Sequence, residues 1–108
     1  MLDDLFLKCP VTTAQKILSG KWALLIIYHL KDKTLRFNEL LRLFDGITHT
    51  TLTKQLKNLE QYGIIRRKVY SQIPPKVEYS LSEMGHKLLP VIDALYTWGE
   101  EYIQSHKT

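Results

Sequence analysis

The apolar positions of this chain recur at helical spacing as far as Gly63 and then change period. A first helix is predicted over residues 10 to about 19, opening on Pro10, whose missing N–H suits the first helical position. A second covers residues 21 to about 31. Its Trp22, Leu24, Leu25, Ile26, Ile27 and Leu30 leave almost no polar face, as in a helix buried on most sides. A third spans residues 38–44 with Leu40, Leu41 and Phe44 inward. A fourth takes Thr48 as N-cap and ends near Tyr62; its Leu52, Leu56 and Leu59 stand at i, i+4 and i+7 and form one apolar stripe. Gly20, Gly46 and Gly63 each follow a helical stretch, where a left-handed residue ends a helix at little cost.

Residues 65–70 are β-branched and basic, and Val77, Tyr79 and Leu81 alternate with Lys76, Glu78 and Ser80. Between them, Gln72-Ile73-Pro74-Pro75 cannot be helical, because each proline removes a donor and restricts its predecessor. This predicts a two-stranded hairpin with a stiff tip, to which Leu35-Arg36-Phe37 adds a short third strand. A last helix, with Ser82 as N-cap, continues to about Gln104, and Pro90 inside it predicts a kink or break there. The order is helix, helix, short strand, helix, helix, hairpin, helix. That is a winged helix-turn-helix, a mostly α fold with a small β wing (α+β).

The chain's 108 residues fit one domain, residues 1–108, with no linker, repeat or low-complexity tract. Hydrophobic residues make up 44% and charged ones 24%, as in an ordinary soluble protein. The net charge of +4 favours a polyanionic partner without deciding for one. Cys9, the one cysteine, cannot form an intrachain disulfide and points to a reducing, cytoplasmic setting. Residues 1–5 lack the features of a signal peptide, and the apolar run at residues 22–30 is far below the ~20 residues that span a bilayer. No membrane association is expected.

Opposite its leucines, the fourth helix carries Thr50, Lys54, Lys57 and Gln61, flanked by Thr53 and Asn58. Glu60 is expected at the buried edge, leaving no carboxylate outward. Hydroxyl, amide and ammonium groups hydrogen-bond base edges and phosphates. Thr48 and His49 lie where free helix N–H groups favour a phosphate. A polar outer face is the norm for an amphipathic helix and by itself says little. Two further features favour double-stranded DNA: the compact helix-glycine-helix arrangement that precedes this face, and the hairpin cations Arg66, Arg67, Lys68 and Lys76, with Arg36 on the short strand.

The segments Cys9-Pro10-Val11, Gly20-Lys21-Trp22, Arg36-Phe37-Asn38-Glu39-Leu40, Leu52-Thr53-Lys54-Gln55-Leu56 and Pro74-Pro75-Lys76-Val77-Glu78-Tyr79-Ser80-Leu81, with the closing Leu89-Pro90-Val91 and Trp98-Gly99, resemble the HxlR-type winged-helix regulators, relatives of the MarR group, over nearly the whole chain. The resemblance implies a homodimeric bacterial or archaeal transcription factor, often a repressor, dimerising through its terminal helices. Its recognition helix would be residues 48–62. Two such helices related by a two-fold axis would lie about one DNA turn (~34 Å) apart and call for a pseudo-palindromic operator. The apolar residues of the last helix independently exceed what one small core can cover, so Leu88, Ile92, Leu95, Tyr96, Trp98 and Ile103 are expected at a subunit interface.

Cys9 stands at a helix start, where the dipole favours thiolate, and some relatives sense oxidants through a cysteine in this neighbourhood; the alternative is a small residue packed under the first helix. His29, His49, His86 and His106 lack metal-site spacing, and Gly85 and Gly99 belong to no phosphate loop, so neither cofactor nor metal is predicted. Trp22, Tyr28, Phe44 and Tyr62 at helical spacing are core residues more often than a box for an aromatic effector, and a small-molecule effector is left open. No catalytic constellation is suggested. The competing function is a winged-helix module that docks another protein; an enzyme ranks last.

Overall fold

Ala23, Ile26 and Ile27 of α2 (Ala23–His29), with Leu30 just beyond it, sit at the centre of the core, whereas Leu25, expected to be buried with them, is exposed together with Tyr28 on the helix's other side. The computed structural model describes residues 5–107; residues 1–4, read above for a signal peptide, and residue 108 lie outside it. α1 (Pro10–Ile17) precedes α2, ending two residues earlier than its periodicity predicts. Gly20 is left-handed with φ +94°, as Gly46 and Gly63 are also left-handed, and it keeps Lys21 and Trp22 out of α2. The Trp22 carbonyl accepts the first helical N–H, from Ile26 at 2.9 Å, which makes Trp22 the N-cap.

β1 contains only Leu35–Arg36, and Phe37, expected in the strand, instead opens α3 (Phe37–Leu43). The cause is local: the Glu39 carboxylate reaches back from the third helical position and accepts the Arg36 N–H at 2.9 Å. α4 (His49–Gln61) starts where Thr48 Oγ1 accepts the Thr51 N–H at 3.1 Å. Its Leu52, Leu56 and Leu59 are buried, each contributing about 1.5–3 kcal/mol relative to exposure.

β2 (Ile65–Tyr70) and β3 (Lys76–Leu81) form the hairpin, and the antiparallel sheet order is β1-β3-β2. Leu35 pairs with Tyr79 and Arg36 with Glu78 on one side of β3; on the other, Ile65 pairs with Leu81, Arg67 with Tyr79, and Lys68 with Glu78. Strand alternation therefore turns Leu35, Ile65, Arg67, Tyr79 and Leu81 to the core side, and Arg36, Arg66, Lys68, Tyr70, Lys76 and Glu78 to the outer face.

The last predicted helix is two helices, α5 (Glu83–His86) and α6 (Leu89–Ser105). The break falls at Lys87 and Leu88, just ahead of Pro90, which sits in the first turn of α6 where a missing N–H leaves no bond unmade. At the joint before α5, the Ser82 hydroxyl lies 2.6 Å from the Gly63 carbonyl and 2.8 Å from that of Ile64, and its oxygen accepts the Gly85 N–H at 3.0 Å. This fastens the turn after α4 to the start of α5. The core runs on through Ile92 of α6.

Candidate nucleic-acid interface

Because the three leucines of α4 face the core, Thr50, Lys54, Lys57 and Gln61 are exposed on its opposite side. Thr48 and Thr53 are partly committed to the helix itself: Thr48 caps Thr51, and the Thr53 hydroxyl donates to the His49 carbonyl at 2.8 Å. Each retains accepting capacity only, or nearly so. The His49 ring packs on Phe37 with centroids 4.5 Å apart, joining the start of α4 to the start of α3. Along its inner edge α4 meets the α1–α2 turn, where a Cβ on Gly20 would stand 2.6 Å from Gln55 Nε2.

Glu60 differs from expectation. It is exposed, and it lines a groove with Thr53, Lys57 and Arg67. Arg67 reaches this groove because strand parity turns it toward α4, so one wing cation stands with the outward lysines of the helix. The hairpin cations thus divide. Arg66, Lys68 and Lys76 share the outer face with Arg36, while Arg67 belongs to the α4 side.

Two residues of the outer face escaped the sequence reading. The Tyr70 ring lies between two ammonium groups, Lys68 Nζ at 4.9 Å and Lys76 Nζ at 4.7 Å from its centroid. Glu78 lies 3.5 Å from Lys76 Nζ and is flanked in register by Arg36 and Lys68. The Tyr70 hydroxyl, first, and the charges of Lys76 and Arg36 hold the Glu78 carboxyl below the usual carboxylate range, against partial desolvation. The signal was the hairpin register, which becomes readable once residues 71–75 are taken as the tip.

Cys9 is the N-cap of α1 and is half-buried. Hydrogen bonds from the Thr12 hydroxyl and then the Thr12 N–H lower its thiol pKa from the ordinary value; partial burial opposes them, and the Val11 N–H adds to the lowering. The segment before it is pinned where the Leu7 N–H donates to Thr13 Oγ1 at 2.8 Å. Among the described residues, no three His, Cys, Asp or Glu side chains gather as a metal site, and no helix is long and apolar enough to cross a membrane.

The interface expectation needs one correction. Ile92 is 6% exposed and belongs to the chain's own core, and Leu88 packs half-buried against that core. A helix apolar on most sides does not declare from sequence which side faces inward. Leu95, Tyr96, Trp98 and Ile103 are exposed, Trp98 by 64%, and Trp98 stacks on the exposed Tyr102 at 5.4 Å. Of the four aromatics weighed as an effector box, Phe44 is buried, Trp22 and Tyr62 pack half-buried against the core, and Tyr28 is exposed. Trp22, Phe44, His29 and Tyr28 touch ring to ring in that order, and Tyr62 packs against Phe6.

The fold has counterparts among known proteins. The sequence model described as HxlR-like helix-turn-helix matches residues 17–107. The chain belongs to the HxlR family. As an HxlR-family protein it is a DNA-binding transcriptional regulator with a winged helix-turn-helix. It is 52% identical over 100 residues to the HTH-type transcriptional regulator YdeP of Bacillus subtilis (strain 168), covering 93% of this chain and 78% of that protein. The redox regulator HypR in its reduced form superposes with a TM-score of 0.84 at 43% identity, over 90% of this HxlR-family chain and 99% of HypR. The reduced form of the transcriptional regulator YodB from B. subtilis gives 0.80 at 33% identity, over 92% and 98% of the two chains.

Proposed function

We propose that this HxlR-family chain works in the cytoplasm as a single-domain, homodimeric, sequence-specific repressor, not an enzyme. Thr50 and Lys54 of α4 read bases in the major groove of a pseudo-palindromic operator. His49, Lys57, Arg67 and the outer wing cations Arg36, Arg66, Lys68 and Lys76 hold the phosphates, while Thr48 and Thr53, whose hydroxyl protons are used within α4, offer the DNA only acceptors for base amino groups. The observation that carries this reading is the exposed threonine and lysine face of α4, whose Thr53 and Lys57 share a groove with Glu60 and the wing's Arg67. A module that docks protein has no need of both. Dimerisation uses the exposed apolar residues Leu95, Tyr96, Trp98 and Ile103, with Leu88 at the edge of that surface.

Duplex affinity measured by fluorescence anisotropy is expected to fall steeply with salt, by about 10³-fold or more between 50 and 200 mM if six or more phosphates are contacted. On an operator selected from a random pool, Lys54→Ala is expected to cost about tenfold or more and to cost little on random DNA. Equal losses on both duplexes would remove Lys54 from the base readers.

Cys9 is the proposed input. Thr12 beside it lowers its thiol pKa from the ordinary value and so raises the thiolate share, and the likeness to redox regulator HypR supports the same sense of control. With one cysteine in the sequence, oxidation joins Cys9 either to Cys9 of a second copy or to a small thiol. Each route turns two thiols into one disulfide while diamide is reduced to its hydrazine. Diamide with glutathione is expected to weaken operator binding of the wild type by about tenfold and to leave Cys9→Ser unchanged. Alkylation of Cys9 by iodoacetamide should reach half its maximal rate below the ordinary thiol pKa. A Cys9→Ser protein that still responds to diamide refutes the assignment.

A further inference from the structure

The outer face of the sheet carries Arg36, Arg66, Lys68 and Lys76 around a single carboxylate, Glu78, on the central strand. A surface meant only to attract phosphate gains nothing from an acid at its middle, since the acid repels the backbone that the cations attract. Nor is Glu78 loosely placed. It is 3.5 Å from Lys76 Nζ, and opposite Arg36 on one side and Lys68 on the other. Tyr70 in turn sits between both lysine ammonium groups, so cations and carboxylate form one fixed cluster.

We propose that Glu78 is a specificity determinant of DNA binding, an internal competitor with backbone phosphate for Lys76 and Arg36. This deepens the DNA-binding reading above and rests on it. A lysine that neutralises a phosphate releases the cation condensed there, and the entropy of that release drives binding. Lys76 already has its counterion in Glu78. While Lys76 stays with this carboxylate it neutralises no phosphate and releases no condensed cation, so the wing's grip on arbitrary DNA is held down. Base contacts from α4 are untouched by this pairing and therefore count for more. Glu78 thus raises the ratio of operator to non-specific affinity by weakening the denominator.

The test uses the full chain as wild type, Glu78→Gln, Lys76→Ala and the double variant, with a random-sequence duplex and a duplex selected by the wild type. Anisotropy is read from about 50 to 200 mM salt. Glu78→Gln is expected to bind the random duplex about eightfold tighter at 0.1 M salt per released cation, with a slope steeper by roughly 0.9 for each. The selected duplex should gain less, so the specificity ratio falls. In the Lys76→Ala background the slope change should shrink, because one of the two competed cations is gone. Glu78→Thr, which keeps strand propensity, serves if the glutamine variant folds poorly and should act in the same direction. An unchanged slope, weaker binding to random DNA, or an undiminished change in the Lys76→Ala background overturns the proposal while wild type still binds. A wild type that binds neither duplex overturns the DNA-binding reading itself, and the role of Glu78 with it.

Discussion

Gly85→Ala is expected to destabilise the protein by about 2–3 kcal/mol and to lower Tm by roughly 10–20 °C. A Cβ at this position runs into the Ile64 backbone carbonyl and also crowds Leu81 Cδ2 at 3.3 Å. Backbone cannot step aside as a flexible side chain does, so α5 has to lift from the turn that follows α4. The same movement pulls the Gly85 N–H from Ser82 Oγ and the hydroxyl from the Gly63 and Ile64 carbonyls, groups that are buried or nearly so. The cost is therefore overpacking together with disrupted polar contacts, two of the mechanisms behind large single-site effects. Thermal unfolding followed by circular dichroism checks it. A Tm within a few degrees of wild type would mean that the joint is far softer than its packing implies.

The second large effect falls on assembly. Leu95 is 45% exposed on α6, so Leu95→Asp opens no cavity in the chain's own core. At a two-fold interface, however, it places two carboxylates in an apolar surface shared with Tyr96, Trp98 and Ile103. The expected result is a monomer by sedimentation. Binding to a two-half-site operator should weaken by about 10²-fold or more, because the second half-site is no longer engaged from within one complex. Affinity for a single half-site should change little. A dimer that survives Leu95→Asp would place the subunit contact elsewhere.

Much of this was legible in the amino-acid order. The leucine stripe of α4, its Thr48 cap, the left-handed glycines and the alternation of β3 all act through neighbours a few residues apart, which is why periodicity reports them. Readings failed where a distant element decides. Ile92 and Leu95 are both apolar on a helix with few polar positions, and only the place of α2 against α6 makes one core and the other surface. Arg66 and Arg67 are neighbours of the same type, yet parity against β3 sends them to opposite faces. Glu60 reads as a buried-edge residue until β2 supplies Arg67 beside it. The cluster of Tyr70 and Glu78 needed the hairpin register, which the tip length sets.

The close approach of Gly20 to Gln55 has a bearing on how short the path from signal to response is. The helix that begins at Cys9 ends three residues before Gly20, and Gln55 stands midway along the helix assigned to base reading. The proposed sensor at one end of α1 and the proposed reading helix α4 are therefore separated by one short helix and one turn. On the proposed roles of Cys9 and α4, an adduct that displaced α1 would reach α4 through the turn at Gly20 and its approach to Gln55.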